Sequence, residues 1–110
     1  MSILHSILET GVHLITINRP LHADLAEEVK QTFKDLAQQG ARQVVINLEH
    51  VSFIDSQGLA ALVTGLKLFG GAHNVRLAAL QAQPKLLFEL TMFDRIFQIF
   101  ESVPAATTMV

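Results

Sequence analysis

The sequence predicts an α/β domain with a mixed, mostly parallel β-sheet that starts with a β-hairpin and carries interleaved helices. Two β-branched runs, Ile3 to Leu8 and Val12 to Ile17, are separated only by Glu9-Thr10-Gly11, as in a hairpin. After them, stretches with helical apolar spacing alternate with short apolar runs, the order that yields right-handed crossovers and parallel strands. The expected element order is β-β-α-β-α-β-α-β with a possible short C-terminal helix.

Taken in order, the hairpin ends at Arg19-Pro20, because proline has no N–H for a strand ladder and restricts the residue before it. A loop over Leu21 to Ala23 follows. Asp24 and Glu27 have capping-box spacing, and Leu25, Val29, Phe33, Leu36 and Ala37 then mark one apolar face that runs to Gly40. Glu27, Glu28, Lys30, Lys34 and Asp35 supply the solvated face. Residues 43–48 form a short apolar strand of the kind buried on both faces of a sheet.

From Leu59 the apolar residues at 59, 62, 63 and 66 make the stripe of a second helix over 56–69, stopped by Gly70-Gly71. A turn at His73-Asn74 leads to a strand over Val75 to Leu80. Pro84 suits the first turn of a third helix containing Leu86, Leu87, Phe88 and Leu90. Phe97, Ile99 and Phe100 make the last strand. Ser102-Val103-Pro104 then opens the possible closing helix, which Thr107 and Thr108 disfavour. Whether helices cover one face of the sheet or both stays open at this level.

At 110 residues, half of them hydrophobic, the chain is expected to form a single domain over 1–110. Its formal charge is −2 and its eight Lys and Arg are scattered, so no basic stripe suited to nucleic acid is present. With no cysteine, disulfides, thiol catalysis and thiolate metal sites are excluded. The N-terminus lacks a basic, apolar leader pattern, and no apolar run is long enough for a membrane span. We therefore expect a soluble cytoplasmic protein. The high apolar content is consistent with an exposed apolar patch or, equally, with a dense core.

The candidate site is the turn Ile54-Asp55-Ser56-Gln57-Gly58, where the central strand passes into the second helix. Asp55 or Ser56 can cap that helix, and such residues are often caps and nothing more. The place is also one where open α/β sheets carry ligand and reaction sites, beyond the carboxyl ends of the strands. Small Ser56 and Gly58 leave the helix end uncovered. Ser52, in the same loop, is a rival hydroxyl, and His22 and His50 lie in loops that should emerge at the same end.

No glycine-rich phosphate cradle precedes any helix, so no nucleotide cofactor is expected. Ser56 lacks the glycine two residues earlier that a nucleophile elbow requires. The five histidines, at 5, 13, 22, 50 and 73, form no H-x-x-x-H pair, and no metal site is expected from them. An enzyme using Ser56 as nucleophile would need a histidine within hydrogen-bond reach of it.

In this setting the chain resembles a STAS domain, and most of all the stand-alone bacterial anti-sigma factor antagonists. The resemblance rests on Asn47-Leu48 through Val51-Ser52-Phe53-Ile54-Asp55-Ser56-Gln57-Gly58-Leu59, which matches the family's strand, loop and D-S-x-G signature. It rests also on Leu87-Phe88-Glu89-Leu90-Thr91-Met92-Phe93-Asp94-Arg95-Ile96-Phe97, similar to the family's helix and its exit into the final strand. Arg19-Pro20 replace the family's usual glycine-led pair, and His22 follows Leu21 where many members have aspartate. Met92-Phe93 stand where glycine and leucine are usual.

The resemblance implies that Ser56 is phosphorylated by a serine kinase that doubles as an anti-sigma factor. A serine phosphatase would restore the hydroxyl. The unphosphorylated chain would bind the kinase and free its sigma factor, acting as a switch without catalytic activity. Asp55, Gln57, Gly58, His22, Asp24 and Ser52 would then form the partner-binding surface around the phosphosite. The same resemblance also accommodates an unphosphorylated scaffold subunit of a signalling or lipid-transport complex.

Overall fold

The computed structural model describes residues 2–108. Met1, Met109 and Val110, part of the expected 1–110 domain, lie outside the described residues. The N-terminal runs form β1 (Ile3–Ile7) and β2 (His13–Ile17), antiparallel, with Ile3 opposite Ile17 and Ile7 opposite His13. Strands β3 (Val44–Asn47), β4 (Val75–Ala78) and β5 (Gln98–Phe100) add in parallel, giving a five-stranded sheet in the order β1-β2-β3-β4-β5. The crossovers are α1 (Ala23–Gln38), α2 (Ser56–Leu68) and α3 (Ala82–Leu90), and α4 (Val103–Thr107) closes the chain. The mixed, mostly parallel sheet with its opening hairpin is as the sequence predicts.

Alternation along each strand sorts the core into unequal layers. Ile15, Ile17, Val44, Ile46 and Leu77 face α1 and α2 and pack with Leu25, Val29, Phe33, Leu59 and Leu62, and Phe88 of α3 joins the same cluster. Val45 and Ala78 point the other way and meet Val12 and Ala106 of α4 in a small second cluster. Helices thus cover both faces, the choice the sequence left open. Helices α1 and α2 approach closely at Gly65, where an added Cβ would stand 3.0 Å from the Phe33 ring.

Some local expectations are corrected. The capping box at Asp24 and Glu27 does not form: α1 begins two residues earlier than that box would set it, with His22 at the N-cap position and no side-chain cap bond. The Asp24 carboxylate instead lies 3.8 Å from Arg19 and 3.9 Å from His22, partners that a capping geometry would deny it. Leu21, expected in a loop, makes a parallel bridge with Ile54. Strand β4 stops at Ala78, short of Leu80, because Ala79 turns into the left-handed region at φ 62°.

The C-terminal helix forms despite its threonines. Ser102 accepts from the Ala105 N–H at 3.2 Å, and the Thr107 hydroxyl donates to the Val103 carbonyl at 3.0 Å, supplying local bonds that propensity scales omit. Met92 adopts φ 62°, the conformation for which glycine is best suited, at the place where it replaces the usual glycine.

On the hairpin, the His5 and His13 rings are 3° from parallel with Nε2 of His5 2.8 Å from Nδ1 of His13. Burial, and secondarily the neighbouring His5, lower the His13 pKa below its ordinary 6.5. Between that lowered value and 6.5 the unfolded chain holds more protons than the folded one, so stability rises with pH there. Above 6.5 the contribution is complete, and it is lost as pH falls through the folded-state value. Urea midpoints measured between pH 7.5 and 5 should therefore fall with acidification, and His13→Gln should flatten the slope.

Candidate functional site

The end of β3 does not simply dissolve into a loop. Leu48 continues the sheet by donating its N–H to the Ala78 carbonyl at 2.9 Å, and the chain then turns through Glu49 and His50. The segment 51–55 comes back as an extended piece locked on both edges. On one edge Leu21 N–H donates to the Phe53 carbonyl at 2.8 Å and Asp55 N–H donates to the Leu21 carbonyl at 3.2 Å. On the other, the Gln83 side chain mimics a strand: its Oε1 accepts from the Ile54 N–H at 2.9 Å and its Nε2 donates to the Ile54 carbonyl at 3.1 Å. Buried Val51 and Ile54 anchor the segment from below.

This platform fixes the start of α2. Asp55 is the N-cap, its Oδ1 accepting the Gly58 N–H at 2.8 Å, so the capping role falls to Asp55 and Ser56 is released to be the first helical residue. Ser56 and Gln57 are exposed, Asp55 is half-buried and Gly58 is buried. An added Cβ on Gly58 would collide with the Leu21 carbonyl oxygen and stand 2.8 Å from Leu21 Cγ. The glycine therefore lets the helix end sit directly against the Leu21 bridge.

The other expected residues assemble around this end. His22 follows Leu21, is exposed, and its ring lies 6.2 Å from that of Phe53, which is itself 43% exposed. Asp24 ties to Arg19 and His22 beside it. Ser52 is exposed in the same loop, while His50 points to Glu49 at 3.5 Å and Glu49 in turn accepts from Asn47 at 3.0 Å. Among the described residues no histidine hydrogen-bonds the Ser56 hydroxyl; the histidine partners are His5 with His13, and carboxylates for His22 and His50. A nucleophile–base pair is therefore not assembled.

Sequence reasoning missed Gln83 and Phe53. Gln83 lies 29 residues from its partner Ile54, and a lone glutamine before a proline carries no signal of that pairing. Phe53 is a large apolar side chain left exposed in that loop, and a segment this short has no periodicity to signal which side chains face out. Further exposed apolar side chains, Leu86 and Leu90 one turn apart on α3 and then Met92 and Ile96, extend beyond Gln83 on the same segment.

Gln83→Ala is expected to lower the unfolding free energy by about 2 kcal/mol, because it leaves a buried-side donor and acceptor of Ile54 unpaired. Urea titration measures it. Gln83→Glu keeps the acceptor for the Ile54 N–H and should lose less than Gln83→Ala.

An open cavity of about 840 Å³ lies at the opposite pole, lined by Gly11, His13, Arg42, Phe69 and Gly70 among others. It adjoins the carboxyl ends of α1 and α2 and the entry to the parallel strands, away from Ser56. Among the described residues, no group of three or more His, Cys, Asp or Glu gathers for a metal ion. Among the described residues no helix is long and apolar enough to cross a membrane.

The STAS domain model matches residues 7–106. The anti-sigma-B factor antagonist of Staphylococcus aureus is 38% identical over 74 residues, covering 67% of this chain and 58% of that protein. The match thus spans under two thirds of the curated relative's length. An anti-sigma factor antagonist from Mycobacterium paratuberculosis superposes with a TM-score of 0.88 at 21% identity, covering 98% of this chain and 92% of that one. The Bacillus cell fate determinant SpoIIAA, solved in its phosphorylated form, superposes with a TM-score of 0.72 at 15% identity, covering 94% and 95%.

Proposed function

The chain belongs to the STAS domain family, and from that membership we propose that it is an anti-sigma factor antagonist switched by phosphorylation of Ser56. Unphosphorylated, it binds an anti-sigma factor that is also a serine kinase. Phosphorylated, it releases that partner until a serine phosphatase restores the hydroxyl. The protein acts in the cytoplasm as substrate and switch, with no catalysis of its own. The names of the curated relatives support the reading, and the phosphorylated form of one structural relative supports the chemistry.

The observation that carries it is Ser56, exposed as the first residue of α2 on a segment fastened by Leu21 and Gln83. A rigid, accessible serine can enter a kinase site without unfolding its surroundings. The phosphate would add about −1.5 to −2 charges at neutral pH, and the free N–H groups and dipole of the helix start would accommodate it. Its effect then falls on the docking surface. The Asp55 cap is already engaged with Gly58, so the new charge does not have to displace it.

Incubation with an ATP-dependent anti-sigma kinase, followed by peptide mass spectrometry, is expected to place one phosphate on Ser56 and none on Ser52. Phosphate on Ser52 alone, or on neither while the kinase labels a control substrate, refutes the reading.

A further inference from the structure

We infer that His5 and His13 form a two-imidazole site for a divalent transition-metal ion of the copper(II) or nickel(II) kind, on the hairpin and apart from Ser56. The rings are held on neighbouring strands: His5 pairs with Ile15 and His13 with Ile7, so the histidines are diagonal neighbours on one face of β1 and β2. Parallel rings with centroids 5.0 Å apart and facing nitrogens at 2.8 Å lie edge to edge, joined by an N–H to N hydrogen bond. The two facing nitrogens thus come within reach of a single ion once the rings turn aside from their shared hydrogen bond.

Their spacing suits a particular geometry. With metal–nitrogen bonds of about 2.0 Å, adjacent corners of a square-planar ion lie about 2.8 Å apart, and tetrahedral ligands about 3.3 Å apart. The observed 2.8 Å matches the first, and each ring must turn by roughly 45° to redirect its nitrogen lone pair from the other ring to the ion. Glu28 and Thr32 of α1 share a cavity with His5, and Arg42 shares one with His13. The carboxylate favours a cation and the guanidinium opposes it, so neither side dominates.

With no third clustered ligand among the described residues, water completes the coordination sphere. In the neutral pair one ring donates its N–H to the other. When the ion arrives, that proton leaves and the same ring is reprotonated at its other nitrogen, so the two lone pairs replace two metal-bound waters with no net proton release. Bridging β1 to β2, the ion would fasten the edge strand and stabilise the folded chain by mass action.

The test is titration of the purified chain with copper(II) ion at pH 7.5, read by electron paramagnetic resonance and by thermal unfolding. One ion per chain, with two equatorial imidazole nitrogens and a raised midpoint, is expected. His5→Ala should weaken binding about 100-fold by reducing a chelate to a single ligand. His73→Ala should leave binding unchanged. His13→Gln, confirmed folded by circular dichroism, should behave as His5→Ala. Binding by the unaltered chain no tighter than by His5→Ala, or a spectrum with a single imidazole nitrogen, overturns the inference.

Discussion

Gly58→Ala is expected to destabilise the protein by about 3 kcal/mol, against the direction that helix propensity predicts. Inside a helix, alanine ordinarily gains about 1 kcal/mol over glycine. Here the added methyl would collide with the Leu21 carbonyl oxygen and press on Leu21 Cγ at 2.8 Å and Ile54 Cγ2 at 3.1 Å. Backbone cannot rotate away as a long side chain can, so overpacking must be relieved by shifting α2 or the Leu21 strand. Either shift breaks bonds that hold the site: the Leu21 carbonyl is the acceptor for the Asp55 N–H, and the Gly58 N–H is the donor to the Asp55 cap. Urea unfolding with unchanged m-value measures the loss. A gain in stability would show that the helix start does not rest on the Leu21 bridge.

The same pair of contacts marks the boundary of what the sequence could reveal. Periodicity placed β3 and α2, and with them Ser56 at a helix start, because strand and helix periods are local properties of the chain. It could not assign the cap between Asp55 and Ser56, since either side chain can accept the free N–H groups and only the backbone conformation decides. The Asp24–Glu27 box failed for a related reason. Its spacing is correct, but the helix starts at Ala23, and the Asp24 carboxylate lies beside Arg19 and His22 instead. Gln83 lay beyond reach altogether, because a bidentate clamp on Ile54 depends on how α3 docks, which no short window records. The helix on the second sheet face was equally non-local: the continuous apolar run of β3 shows that both faces are apolar, and only packing shows that α4 covers one of them.

Ser56→Asp is expected to weaken binding to the anti-sigma factor kinase about 100-fold, while Ser56→Ala stays within about threefold of the unaltered chain. The aspartate carries one charge where the phosphate carries nearly two, so it reproduces the sign of the change at smaller size. Stability separates this from damage to the fold. An acidic side chain in the first turn of α2 interacts favourably with the helix start, worth about 0.3–1 kcal/mol, so Ser56→Asp should unfold at an equal or higher urea concentration. Weakened binding with undiminished stability can then arise only at the docking surface, where a desolvated charge meets no prepared partner. Surface plasmon resonance across a salt series adds a further discriminant, because a like-charge share of the penalty shrinks as ionic strength rises whereas a desolvation share does not. Equal affinities for the aspartate and alanine variants would refute the charge mechanism even if the serine proved to be phosphorylated, leaving the bulk of the phosphate as the cause of release.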